Sequence, residues 1–143
     1  MRNISFSATT EKFRARRKHI TRRLRWLNLK PGDQLMGCEK VQGIKKGELV
    51  RMGAITVLEV NREPLTDIIR YPFRNIPIEI DKLYHGYFYA TEIVLEGFPQ
   101  YYDYPQGFID MFCEMNKCEP KTEITRILFD YMEDKATTAQ ARK

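Results

Sequence analysis

Between Arg16 and Trp26 the chain reads RRKHITRRLRW, placing five arginines, one lysine and one histidine in eleven residues. Guanidinium groups at this density grip phosphate oxygens through paired N–H donors, so Arg16, Arg17, Arg22, Arg23 and Arg25 are candidate anion-binding residues. On an extended segment Arg23 and Arg25 share a face, while Arg17, Lys18 and Arg22 can meet from the helical side. A second basic group lies in the glycine-bracketed loop VQGIKKGE, where Lys45 and Lys46 add two cations. A solvated surface explains the same composition. The two clusters together point instead to one wall of a pocket that faces an anion and a nucleobase. Trp26 either stacks on a base or packs with Leu24 and Leu27, and packing is the preferred reading.

The elements that must position these residues belong to one domain. The chain has 143 residues, 43% hydrophobic and 30% charged, with a formal net charge of +5. That length supports a core of its own, and residues 1–132 are expected to form the domain, with 133–143 a polar tail. Charge is unevenly placed. From Arg2 to Lys30 there are ten Lys/Arg against one acid, Glu11, and the remainder is slightly acidic. A basic end of this kind fits RNA or a nucleotide as partner. No apolar run reaches the length of a membrane span and no apolar leader follows Met1, so the expectation is a cytoplasmic protein without a membrane partner. Cys38, Cys113 and Cys118 form no CxxC or Cys/His pattern, which fits a reducing compartment. His19 and His85 are too few to anchor a metal, and no cofactor is expected. The oligomeric state stays open.

Periodicity predicts a strand at Ile4–Ser7, a short helix from Thr9 or Thr10 to near Lys18, and an extended segment through HITRRL. A turn at Pro31-Gly32-Asp33 leads into a short strand from Gln34. Val50–Leu65 is the clearest strand region, with apolar residues on both faces as in a closed barrel. Asp67–Tyr89 reads as a long connection with a short strand at Ile76–Ile80. Tyr89–Pro99 holds a short helix that stops before Gly97. Next comes an amphipathic helix with Phe108, Met111, Phe112 and Met115 on one stripe. Thr122–Tyr131 alternates as a closing strand. The order predicts an α+β chain: a small β-barrel with short helices at its ends.

SFSATTEKFRARRKHITRR, then LKPGD, VNREPL, LEGFP before FIDMFC, and TEITRILFDY, in this order and spacing, resemble the ASCH domain, a PUA-like barrel family. The resemblance spans Ile4 to about Met132 and is nearest to phage and bacterial single-domain members. The family reads Gly-Arg-Lys-Thr-hydrophobic-Thr at its first site. Here Arg16 stands at the glycine and His19 at the first threonine, while Arg17, Lys18 and Thr21 keep the pattern. An arginine at a glycine position calls a tight turn into question. The resemblance implies a PUA-like fold, with relatives that bind RNA and others that are small amidohydrolases removing an acyl group from modified cytidine. For the latter it implies a working set of Lys18, Thr21 and Glu96, with Glu92 the competing acid.

Chemically, a threonine hydroxyl becomes a nucleophile once a base takes its proton. A lysine amine is that base when burial or neighbouring cations lower its pKa. Glu96 then hands a proton to a leaving amine or orients the lysine. The competing reading is an ion pair between Lys18 and Glu96 that only closes the barrel end. The sequence therefore carries a binding module for RNA or a nucleotide and, as the alternative, a hydrolase of acylated nucleosides. A weaker alternative is an accessory protein-binding module using the aromatic stretch Tyr84–Tyr104.

Overall fold

The computed structural model describes residues 1–84 and 89–132. In chain order the elements are β1 (Arg2–Ser5), a 3-10 turn (Ser7–Thr9), α1 (Thr10–Arg14), β2 (Ile20–Arg23), β3 (Gln34–Cys38) and β4 (Arg51–Pro64). There follow α2 (Asp67–Arg70), α3 (Ile78–Asp81), α4 (Glu92–Leu95), a second 3-10 turn (Pro99–Tyr101), α5 (Pro105–Asn116) and β5 (Glu123–Tyr131). The five strands form one sheet in the order β1-β3-β4-β5-β2. β1 runs parallel to β3, and the other three pairings are antiparallel.

Both terminal strands enter the sheet, but the sheet curls without closing into the barrel the sequence predicts. Its edges, β1 and β2, do not pair with each other. The Arg23 guanidinium reaches across this seam instead, donating from Nη2 to the Ser5 carbonyl. The long β4 also departs from a two-sided apolar strand, since Ile55 and Val57 are fully buried whereas Leu58 is 36% exposed.

Phe6, Phe13 and Phe129 centre the core beneath the sheet, with Phe6 and Phe13 stacked at 4.4 Å. Gly37 of β3 lies directly under Phe13. A Cβ there would come within 2.3 Å of the ring, so the close approach requires glycine. A second cluster joins Ile68 of α2, Ile93 of α4, and Phe108, Ile109 and Phe112 of α5. Ile109 therefore belongs to the buried face of α5, while Met115 of the expected stripe is 61% exposed.

Two further expectations need correction. Ile76–Ile80 is not a strand. Pro77, held at φ −55°, directly precedes the first turn of α3 and Ile80 is buried beneath it, so proline starts a helix here. The first helix ends at Arg14 rather than near Lys18. Arg16 N–H donates to Phe13 O and Arg17 N–H to Lys12 O, a Schellman closure with Arg16 at the left-handed position, φ 59°. The tight turn is thus made without glycine, and the Arg16 guanidinium lies 4.6 Å over the Tyr131 ring. Left-handed backbone costs a β-carbon-bearing residue about 1 kcal/mol. Arg16→Gly should therefore be about 1 kcal/mol more stable than Arg16→Ala in urea denaturation, because both lose the stacking and only glycine relieves the strain.

Candidate functional site

The turn at Arg16 drives the next residues inward, and Lys18 through Arg22 are all buried. His19 N–H donates to Leu95 O at 2.8 Å, which pins the entry of β2 to the end of α4. α4 begins where the Thr91 hydroxyl accepts from Val94 N–H, and it ends at Glu96. Gly97 follows at φ 95°. That left-handed backbone favours glycine, and a Cβ there would also press on Thr9 Cγ2 at 3.3 Å. Two chain turns, one at each end of this contact, bring Lys18, Thr21 and Glu96 to one place.

Lys18 Nζ donates to the Glu96 carbonyl and lies 3.6 Å from its carboxylate Oε2. The carboxylate accepts from Arg22 twice, from the backbone N–H at 2.9 Å and from Nη1 at 2.8 Å. Thr21 Oγ1 accepts from Arg23 Nε at 3.0 Å, so the hydroxyl proton remains free to be given away. These residues line a cavity of about 150 Å³ at the seam between β1 and β2.

Behind it lies a buried ionic layer. Arg22 and Arg126 face each other across β2 and β5. Like charges directly opposite destabilise a sheet. Glu92 enters from α4 and resolves the conflict: it accepts from Arg22 Nη2 at 2.6 Å, Arg126 Nε at 2.6 Å and Arg126 Nη2 at 2.9 Å. Glu63 is paired in the same way by Arg74, with two bonds of 2.7 Å.

Burial lowers the Lys18 pKa to about 8. Glu96 opposes that shift, while Arg23 and Arg22 reinforce it, and burial wins. Burial likewise lowers Arg23 to about 10, against the pull of Glu96. For Glu92 burial acts upward, but Arg126, Arg22 and Arg74 overcome it and hold the carboxyl below the usual range. Burial lowers His19, which packs edge-on against Tyr131 with Nδ1 3.1 Å from Phe129 O.

The predicted basic cluster divides. Arg22 and Arg23 line the cavity, with Arg22 fully engaged by glutamates. Arg16 and Arg17 are exposed and line a separate cleft of about 450 Å³ with His19, Leu83 and Tyr131. Arg25, Lys45 and Lys46 are exposed and line neither space. Between the two candidate acids, Glu96 approaches Lys18 and Glu92 serves the arginines behind. Trp26 is half-buried against the Phe6–Phe13 core, with the Arg2 guanidinium 4.0 Å over its ring. Tyr84 donates its hydroxyl to Arg17 O at 2.7 Å, and Tyr89 is exposed. His85, Tyr87 and Phe88 lie outside the described residues, as does the expected tail. Among the described residues no group of His, Cys, Asp or Glu is placed to hold a metal, and no helix is long and apolar enough to cross a membrane.

Sequence reasoning missed Arg126, Glu63 and the cavity's apolar wall. Arg126 did carry a signal. In TEITRILFDY it shares a strand face with Ile124 and Leu128, residues that seek burial, and a buried guanidinium demands a buried acid.

No family model and no curated protein matches the chain. One solved structure does, that of a DUF984 protein from Enterococcus faecalis V583, with 11% identity, a TM-score of 0.50, and coverage of 98% of this chain and 81% of that one. At this identity the likeness concerns the fold alone. Fold and site together define an α+β protein whose curled five-stranded sheet carries a buried lysine, threonine and glutamate at its open seam.

Proposed function

We propose that this chain is an ASCH-type, PUA-like amide hydrolase acting on an N-acylated nucleoside. The observation that supports this reading is the convergence of Lys18, Thr21 and Glu96 at one cavity, with the lysine pKa lowered to about 8. A flat basic face with these side chains apart would have favoured simple binding. In the proposed reaction, neutral Lys18 takes the Thr21 hydroxyl proton as Oγ1 bonds to the amide carbon. The C–N bond then breaks, and the leaving amine receives the proton from the Lys18 ammonium. Water releases the acyl group from Thr21 by the same lysine, run a second time. Glu96 orients Lys18 in this scheme rather than donating a proton, because both carboxylate oxygens accept from Arg22.

The test is a screen of N-acylated and N-methylated nucleosides with wild type and Lys18→Ala. A general base works only when neutral. Turnover should therefore rise about tenfold per pH unit below the lysine pKa and level off above about 8. Lys18→Ala should remove the activity and this limb of the profile together. An activity independent of pH between 6 and 9 would refute the assignment of Lys18 as base.

A second reading, binding of RNA or a nucleotide, draws on exposed Arg16 and Arg17 beside the His19 cleft. On that reading no acylated or methylated nucleoside is turned over. Replacing both arginines by alanine then lowers the slope of RNA affinity against salt by about one unit for each phosphate no longer neutralised.

A further inference from the structure

The cavity at the seam has two unlike walls. One is polar, formed by Lys18, Thr21, Arg23 and Glu96. The other is apolar and comes from α5 and the segment before it, through Phe98, Phe108, Met111, Phe112 and Met115. Phe98, Phe108 and Phe112 belong to the buried cluster behind them and form a firm surface. Met111 is half-buried and Met115 is 61% exposed, so the outer part of the wall is unbranched, polarisable and able to adapt to what it meets. The two walls meet at the amine: Lys18 Nζ lies 5.7 Å from the Phe98 ring centre and 5.9 Å from that of Phe6. A group attacked beside Lys18 therefore has polar atoms on one side and aromatic carbon on the other.

Volume decides which part of a substrate enters. An apolar cavity of about 150 Å³ takes up one benzene-sized group. A whole acylated nucleoside is larger than this space, so only one end of it can be enclosed. The side of the enclosed end that faces α5 must be apolar, because α5 offers it no hydrogen-bond partner beyond Asn116, whose amide already donates to Phe112 O. An acetyl group satisfies the polar wall but leaves the methionines and phenylalanines uncovered, forfeiting their dispersion attraction.

Building on the hydrolase reading above, we propose that the cavity is an acyl subsite, and that α5, through Met111, Phe112 and Met115, selects substrates whose acyl group is apolar and about the size of butyryl to benzoyl. The amine half of the substrate then remains at the open mouth of the seam. α5 acts as the specificity element, and Lys18 and Thr21 act on whatever carbonyl it delivers.

The experiment compares acetamide, butyramide and benzamide in chemical-shift titrations, and acetyl-, butyryl- and benzoyl-cytidine in turnover, on the full chain. Benzamide should bind at least about tenfold more tightly than acetamide, the scale on which an apolar pocket reads size. Met115→Trp, a change at an exposed rim position, should cost benzamide about tenfold and leave acetamide within about threefold, and Met111→Trp should do the same from inside the cavity. Equal binding of the three amides, no binding of any, or an order unchanged in both tryptophan variants would overturn the acyl subsite. The two readings fail separately. Amides sorted by size with no cytidine turned over would remove the hydrolase and leave the subsite standing. Cytidines turned over without regard to acyl size would do the reverse.

Discussion

Thr21→Ala should reduce hydrolysis of an acylated nucleoside by at least about a thousandfold while leaving substrate affinity within about tenfold. The hydroxyl contributes little to holding substrate, because it is one small group on a cavity wall that also carries a lysine, two arginines, a glutamate, methionines and aromatic rings. Its contribution falls in the step that forms the new C–O bond. The structure around it fits that division. Arg23 Nε donates to Thr21 Oγ1, which orients the oxygen and stabilises the negative charge it gains as its proton leaves. Thr21→Ser keeps the hydroxyl and should retain measurable turnover, which separates loss of the nucleophile from loss of packing. Single-turnover kinetics with a directly measured Kd decide the matter. A Thr21→Ala protein that turns over within tenfold of wild type would exclude an acyl-threonine route.

Glu92→Ala should be the most destabilising single change in the molecule, costing about 3–5 kcal/mol in urea denaturation. Glu92 is 1% exposed and is the acid shared by Arg22 and Arg126, which stand directly opposite each other in the sheet. Its removal leaves two buried guanidinium groups facing each other across β2 and β5, where neither can reach water. The cost is comparable to the whole stability of a small domain, so lost soluble yield at 37 °C is part of the expected result. Glu59 provides the control. It also pairs with Arg126, at 3.0 Å, but is 53% exposed, and Glu59→Ala should cost less than about 1 kcal/mol. The pH dependence has a definite sign. Arginines hold the Glu92 carboxyl below its ordinary value of 4.5, so its contribution is full above that value and is lost as pH falls through the lower, folded one. The stability difference between wild type and Glu92→Ala should therefore shrink in acid and stay constant from pH 6 to 8.

The candidate site and the ionic layer share one residue, and this links the two predictions. Arg22 binds Glu96 through Nη1 and Glu92 through Nη2. The glutamate that faces Lys18 is thus held by a guanidinium that is itself held by the structural layer.

Much of this architecture follows from local sequence. β-branched and aromatic residues mark β5, which is buried on both faces from Ile124 to Phe129 rather than alternating, the β-branched run defines most of β4, Thr91 and Gly97 bracket α4, and Pro105 opens α5. The RRKHIT segment, with its resemblance to a known motif, was enough to name Lys18 and Thr21. Other features depend on partners distant in the chain. Whether an arginine in RRKHITRR meets solvent or a carboxylate is settled by an element some seventy residues away, and Arg22 and Arg17 differ in no local respect that sets one inside and the other out. Closure of the sheet also lies beyond local pattern, because apolar character on both faces of β4 suits a barrel and an open sheet covered by helices equally well. The turn at Arg16 is a third case. Backbone preference alone argues against a left-handed arginine, yet tertiary contacts hold it there, with Tyr131 beneath its guanidinium. Composition and periodicity determine which segments become strands and helices and which faces seek burial. Only the tertiary structure decides which charges are neutralised in the interior, since that depends on the distance between groups the sequence keeps far apart and on the dielectric of the space between them.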